Sequence, residues 1–363
     1  MVGKQDETAQ AGAPESRSRF TIDLIPGDGI GLEVVPAAVE AVDAVTREYG
    51  VSIDWRHRDW GSEYFRRHGV MMPADGLDRM SDGDGIFLGA VGDPEIPDDV
   101  TLWGLLIPIR RAFMQYVNLR PVRALPGVDS PVRSGELIDL VVVRENVEGE
   151  YSQIGGRMYQ GSEQEAAFQQ AIFTRTGVTR VAEYAARLAA SRNAKLTSAT
   201  KSNGIIHTMP FWDEVVQEVA DKAGVPVEHV LIDALAAKLV ATPESFSVIV
   251  ASNLFGDVLS DLAGAIAGSI GVAPSANLNP ERRYPSMFEP VHGSAPDIAG
   301  QGVANPVGQM WTAVMMLEHL GLGPAAAHLM GAIEKTLEQG LRTRDLGGSA
   351  GTAEFTQAVC RNI

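Results

Sequence analysis

Apolar residues alternate with smaller and polar ones from Phe20 to Ile25, then give way to Pro26-Gly27-Asp28-Gly29-Ile30-Gly31, a run suited to a turn. From Leu32 to Glu48 the spacing changes. Val34, Val35, Ala38, Val39, Val42 and Val45 recur at helical intervals, which predicts a helix with one buried face. The fold therefore opens at Phe20 as strand, glycine turn and helix. Gly85–Val91, Leu137–Val143 and Ser247–Ala251 are short continuous apolar runs, and each predicts a strand covered on both faces. Trp103–Met114, Val178–Ser191, Thr208–Ala223 and Phe255–Ile266 carry helical spacing. Strands alternating with helices predict an α/β protein with a largely parallel sheet. Glu150–Phe173 lacks a helical period and contains Gly155, Gly156 and Gly161. It reads as a hairpin excursion, an arm that would suit contact with a second subunit.

Composition narrows the partners. The 363 residues suggest about two domains, or one large one. Asp and Glu number 46 against 30 Lys and Arg, a net charge of −16 that argues against nonspecific nucleic-acid binding and anionic membrane surfaces. The single cysteine, Cys360, excludes an internal disulfide framework and a cysteine-built zinc site, and fits a reducing, cytoplasmic setting. Met1–Arg19 is polar, without the apolar centre of a secretory signal, and is expected to be a flexible tail. No apolar run suits a bilayer; the nearest, Leu262–Leu278, is broken by glycines and Pro274.

Candidate chemistry lies in separate segments. The Gly27–Gly31 loop has G-x-G-x-G spacing, not the dinucleotide fingerprint G-x-G-x-x-G, and no phosphate-binding lysine follows. A tight strand–helix turn is favoured there over a phosphate cradle. Asp257 and Asp261, four apart at the start of a predicted helix, share a face. They suit either the helix dipole or a hard cation such as Mg²⁺ or Mn²⁺. Asp233 lies in an otherwise apolar stretch and needs a partner, which favours a metal. Arg110, Arg120 and Arg144 together suit a substrate with more than one carboxylate, and Arg144 follows a buried strand, where α/β crevices bind ligands. Lys201 and Tyr151 are an acid/base pair if they lie near such a site, and ordinary surface residues otherwise. Glu289-Pro-Val-His-Gly-Ser-Ala-Pro-Asp297 is a polar, turn-rich loop suited to a cofactor.

Together the segments IPGDGIG (25–31), NLRPVR (118–123), VVVRENVEGEY (141–151), ATKSNG (199–204), ID (232–233), ASNLFGDVLSDL (251–262), EPVHGSAPDIAG (289–300) and ANP (304–306) resemble the β-decarboxylating dehydrogenases. This is the family of isopropylmalate, isocitrate, homoisocitrate, tartrate and D-malate dehydrogenases, and the resemblance runs from Phe20 to the C-terminus. It implies the isopropylmalate dehydrogenase-like α/β fold, not a Rossmann fold, with a mostly parallel sheet in its first domain. Residues 20–115 plus 269–363 would form the cofactor-side domain. Residues 116–268 would form the substrate, metal and dimer domain, with the arm near 150–173. The resemblance assigns Arg110, Arg120 and Arg144 to substrate carboxylates, Tyr151 and Lys201 to acid/base work, and Asp233, Asp257 and Asp261 to the metal. Lys201 and one aspartate would come from the neighbouring subunit of a homodimer. Glu289, His292, Gly293, Ser294, Ala295, Asp297 and Asn305 would hold the dinucleotide. Asp297 favours NAD, since an acid accepts from ribose hydroxyls and repels a 2′-phosphate. The implied cofactors are NAD and Mg²⁺ or Mn²⁺, and the family pattern admits K⁺.

The segments at 102–123, 150–157, 197–204, 210–213 and 275–280 look like the tartrate/D-malate branch. Gly204 stands where isopropylmalate enzymes usually carry valine, which weakens the case for a branched substrate. Leu106 and Ile107 keep part of an apolar wall, and Pro108, two before Arg110, departs from the usual pattern. The expected activity is oxidation of D-malate or tartrate, with decarboxylation where the substrate allows. The rival readings are 3-isopropylmalate dehydrogenase in leucine biosynthesis and a non-catalytic regulatory subunit.

Overall fold

The computed structural model describes residues 17–363. Most of the expected tail thus lies outside the described residues. Within them the first strand starts at Arg19, and Arg17 already pairs with Asp84. The first stretch contains β1 (Arg19–Gly27), α1 (Gly31–Glu48), β2 (Ser52–His57), α2 (Ser62–His68), α3 (Gly76–Met80), β3 (Gly85–Ala90), α4 (Asp98–Thr101) and α5 (Ile107–Ala112). The next contains β4 (Val117–Arg123), β5 (Asp139–Glu145), β6 (Gly155–Met158), β7 (Ala166–Gln169), α6 (Arg175–Ser191), β8 (Leu196–Thr200), α7 (Thr208–Ala223), β9 (Val227–Leu231), α8 (Ile232–Ala241), β10 (Val248–Ala251) and α9 (Asn253–Ile266). The chain then returns through β11 (Ala276–Leu278), β12 (Ser286–Phe288), α10 (Val307–His319), α11 (Gly323–Glu338) and α12 (Thr352–Asn362).

One ten-stranded sheet runs through the molecule in the order β2-β1-β3-β12-β11-β4-β5-β10-β8-β9. Pairing is parallel from β2 to β12 and from β5 to β9. It is antiparallel at β12–β11, β11–β4 and β4–β5. The expected α/β architecture with a mostly parallel sheet is therefore what the chain forms. Helices α10, α11 and α12 pack with α1 beside the early strands, and α6, α7 and α9 serve the later ones. Of the apolar residues of the predicted α1 face, Val34, Val35, Ala38, Val42 and Val45 are fully buried and Val39 is partly buried.

Several boundaries move for local reasons. The strand expected at 137–143 begins at Asp139, because Leu137 lies in an exposed 3₁₀ turn, and it extends to Glu145 because β4 supplies ladder partners through Val117. The helix expected from Val178 starts at Arg175, where the Thr174 hydroxyl accepts the Gly177 N–H at 3.0 Å. The helix expected from Trp103 opens as five residues of π-helix, Leu102–Leu106, and turns α-helical at Ile107. Pro108 lacks the N–H that would return to Gly104, and its ring crowds that carbonyl, so the preceding turn widens. The 150–173 excursion contains the antiparallel β6–β7 hairpin, with Ile154, Met158, Tyr159 and Phe168 exposed. Among the described residues no helix is long and apolar enough to cross a membrane.

Candidate active site

Ladder register gathers the first group. Asn118 on β4 lies opposite Arg144 on β5, and Arg120, two residues further, projects from the same face. Arg144 in turn lies opposite Ala251 on β10, just before α9 begins. Gly256 lets this helix close on the arginine stem: a Cβ there would fall 2.6 Å from Arg144 Cβ. The buried Arg144 guanidinium donates to Asn253 Oδ1 through Nε at 3.1 Å and Nη2 at 2.7 Å, and it pairs with Asp257. Arg120 Nη1 lies 3.3 Å from Asp257, 3.2 Å from Asp261 and 2.6 Å from Ser260 Oγ. The Tyr151 hydroxyl donates to Asp257 Oδ2 at 2.9 Å, and its ring lies beneath the Arg144 guanidinium, 5.6 Å away. Arg110 pairs with the buried Glu289, which also accepts from Asn277 at 3.0 Å.

Charge crowding follows from this packing. Burial, together with repulsion from Arg120 and Arg110, brings Arg144 down to about 10 despite Asp257. Burial opposes ionisation of Asp257, but Arg144, Arg120 and the Tyr151 hydrogen bond outweigh it and hold this carboxyl below its usual range. At Asp261 burial and repulsion from Asp257 outweigh Arg120, and the carboxyl sits above its usual range. Burial and Asp257 raise the Tyr151 phenol, which keeps its proton at neutral pH. The ensemble is three guanidiniums, the carboxylates of Asp257 and Asp261 with Glu289 on Arg110, and a protonated phenol.

Beside Tyr151 a cavity of about 510 Å³ is lined by Leu102, Trp103, Ile107, Ser152, Gln153 and Gln169, among others. Arg111 stacks over Trp103 at 4.9 Å and donates to the Tyr151 carbonyl at 2.8 Å, so the indole and the phenol loop are tied together.

Lys201 and Asp233 form a second, separate constellation. Thr200 on β8 pairs with Leu231 on β9, which sets the residues after them side by side, and Lys201 Nζ donates to Asp233 at 2.7 Å. Asp233 is exposed, and the Lys201 hydrogen bond lowers its carboxyl. Among the described residues no three His, Cys, Asp or Glu side chains gather in a metal-sized group.

The cofactor candidates lie across the first glycine turn. Ile30 N donates to Ser294 O at 2.8 Å, and a Cβ on Gly29 would fall 2.0 Å from that oxygen. The Asp28 and Gly31 amides also serve backbone acceptors, so this loop is a tight turn holding the 292–295 segment. His292 is buried, which lowers its imidazole, and its Nε2 has no hydrogen-bond partner among the described residues. Gly293 and Asp297 are exposed, and Ala295 takes a φ of 41°. The Asn305 amide engages Asp345 at 2.9 Å and Val307 N at 3.0 Å. Glu289, grouped with this loop in the sequence, instead directs its carboxylate to Arg110 and Asn277.

Sequence reasoning missed the polar braces. Asn118, Asn146 and Asn277 form a buried network, with Asn277 Oδ1 accepting from Asn118 at 3.0 Å and from Asn146 at 2.8 Å. Asn253 joins Arg144 to the Glu148 carbonyl, its Nδ2 donating at 3.1 Å. Glu150 accepts from Ser252 Oγ at 2.7 Å and Leu254 N at 3.1 Å, which locks the tyrosine loop to the start of α9. Asn253 and Glu150 lie inside segments already singled out; the signal for them was position beside Ser252 and Tyr151.

A family model described as isocitrate/isopropylmalate dehydrogenase matches residues 21–359. A probable tartrate dehydrogenase/decarboxylase of Agrobacterium vitis is 52% identical over 350 residues, 95% of this chain and 98% of that protein. A decarboxylating D-malate dehydrogenase of Escherichia coli is 49% identical over 353 residues, 94% of this chain and 98% of that protein. The crystal structure of isocitrate dehydrogenase from Methylococcus capsulatus superposes with a TM-score of 0.87 at 33% identity, covering 94% of this chain and 99% of that one.

Proposed function

This chain belongs to the isocitrate/isopropylmalate dehydrogenase family and is an enzyme of the decarboxylating dehydrogenase class, and we propose that it oxidises a small malate-type 2-hydroxy diacid, D-malate or tartrate. The reading rests on one observation: Arg110, Arg120 and Arg144 crowd about Tyr151, Asp257 and Asp261 at the end of β5. Three buried guanidiniums gathered there suit a ligand with two carboxylates, each able to take a bidentate guanidinium. The relatives named for tartrate and D-malate support the same substrate class.

The oxygen donors of Asp257 and Asp261 suit Mg²⁺ or Mn²⁺, and Asp233 of a second copy would complete the set. A bound metal would supply polarisation of the 2-oxo group, and NAD would supply the hydride acceptor. The chain's own residues then do the proton work. Lys201 of the second copy takes the proton of the 2-hydroxyl, and the arginines hold the carboxylates in register. Where CO₂ leaves, Tyr151 delivers the proton its raised pKa retains to the carbon left behind. Exposed Asp297 repels a 2′-phosphate and supports NAD over NADP. A homodimer is part of this reading, as is a cytoplasmic setting. So is a division into residues 20–115 plus 269–363 and residues 116–268, which meet where β11 pairs with β4. The test is NADH formation with Mn²⁺ and K⁺ on D-malate, the tartrates, 3-isopropylmalate and isocitrate. D-malate or a tartrate should exceed the others in kcat/KM. Faster turnover of isopropylmalate would replace the substrate while leaving the class intact.

A further inference from the structure

A second concentration of positive charge lies away from the catalytic group, where the β11–β12 turn meets the end of α10. A cavity of about 310 Å³ is lined there by Arg17, Asp84, Arg282, Arg283, Tyr284 and His319, among others. Arg17 is neutralised by Asp84, which it meets with both amino groups at 2.5 and 2.7 Å. Arg282 and Arg283 have no ion-pair partner among the described residues. The nearby acids are committed elsewhere: Glu281 accepts the Tyr116 hydroxyl at 2.6 Å, and Glu318 is acted on by Arg123.

The turn presenting these arginines is braced. Buried Asn279 accepts from Arg283 N at 2.8 Å and from Tyr284 N at 3.4 Å, and it donates to Met114 O at 3.1 Å. Gln115 Nε2 donates to Pro285 O at 2.9 Å. Arg282 itself is held at a φ of 54°, a conformation a residue with a side chain adopts at some cost. His319 packs against Phe288 with ring centroids 5.5 Å apart, and burial together with the Arg282 charge brings its imidazole to about 4. Arg282 and His319 both line the cavity.

Two guanidiniums that line one cavity and have no ion-pair partner among the described residues are unexpected in a chain of net charge −16. The backbone that carries them is braced before any ligand arrives, so only the two exposed side chains need to be ordered on binding. The volume lies at the lower end of the roughly 300–1,000 Å³ usual for small-molecule sites. We propose that this cavity binds a small dianionic oxyanion, a phosphoryl or dicarboxylate group, through Arg282 and Arg283.

His319 supplies a local reporter. The full chain, labelled at histidine, is titrated with inorganic phosphate and separately with succinate at constant ionic strength. The His319 resonance is assigned through His319→Gln. At least one anion should shift it saturably in the low-millimolar range and move its titration upward. Binding should weaken about tenfold in Arg282→Gln/Arg283→Gln, with kcat unchanged, because a bidentate charged contact is lost. A response to phosphate alone identifies a phosphoryl ligand, and a response to succinate alone a dicarboxylate. A shift that does not saturate overturns the proposal. So does an affinity unchanged in the double variant, which would assign the anion to the catalytic arginines.

Discussion

Asp257 shows how little freedom the central residues have. One of its oxygens meets Arg144 and Arg120 and the other accepts from Tyr151. Glu145, next to Arg144 in the chain, is the opposite case: a buried carboxyl whose Oε2 accepts the Val147 and Glu148 amides while Oε1 has no hydrogen-bond partner among the described residues. Arg180 lies 3.7 Å away, too far to hydrogen-bond, so burial dominates and raises Glu145 from 4.5 to about 7. Between those values the unfolded chain releases this proton while the folded chain keeps it, so stability falls as pH rises through that window. Glu145→Gln removes the titration and keeps an acceptor for both amides. Its Tm should lose the decline between those pH values and exceed the parent's above pH 7; an unchanged profile would show that Glu145 does not titrate there. Gly204 is the other informative position. A Cβ there meets nothing closer than 3.9 Å, so the first carbon of a side chain is accommodated without displacement. Gly204→Val should raise relative kcat/KM for isopropylmalate over D-malate by roughly tenfold, through added apolar contact. Steady-state rates on both substrates check this.

At the scale of elements, α9 carries two of the three metal-binding candidates, Asp257 and Asp261, and Glu150 braces its first turn. Glu150→Ala removes an acceptor from the first turn and should cost about 1 kcal/mol, as losing an N-cap does. Because the same contact anchors the Tyr151 loop, kcat should fall further than KM rises. A lowered Tm with unchanged kcat would confine Glu150 to stability. Strongly periodic elements were legible from the sequence: α1, α6, α7 and α9 followed from spacing, and β3 and β10 from apolar runs. The antiparallel seam was not. Strand β11 is three residues, Ala276–Leu278, and its Asn277 points into a polar network that spacing does not reveal. The π-helix before Pro108 was legible only as a disturbance, because proline reports a lost hydrogen bond but not how the turn responds.

Across the whole molecule, the sheet places two constellations apart. Arg110, Arg120, Arg144, Tyr151, Asp257 and Asp261 meet where β5 leads into α9. Lys201 and Asp233 pair beyond the ends of β8 and β9. The residue types were legible in the sequence, and the register of β8 with β9 explains the pairing of residues 32 apart. Their separation within one chain was implied by the family resemblance, not by spacing. The central claim is that a second copy brings Lys201 and Asp233 to the arginine site, and subunit mixing tests it most directly. Lys201→Ala and Asp257→Asn homodimers should each be nearly inactive with D-malate, NAD and Mn²⁺. In a mixed dimer, one site would combine an intact Lys201 with an intact Asp257, and activity should return to about a quarter to a half of the parent per dimer, since one of two sites is whole. Isolated mixed dimers that stay inactive, or a fully active monomeric parent, would contradict the account.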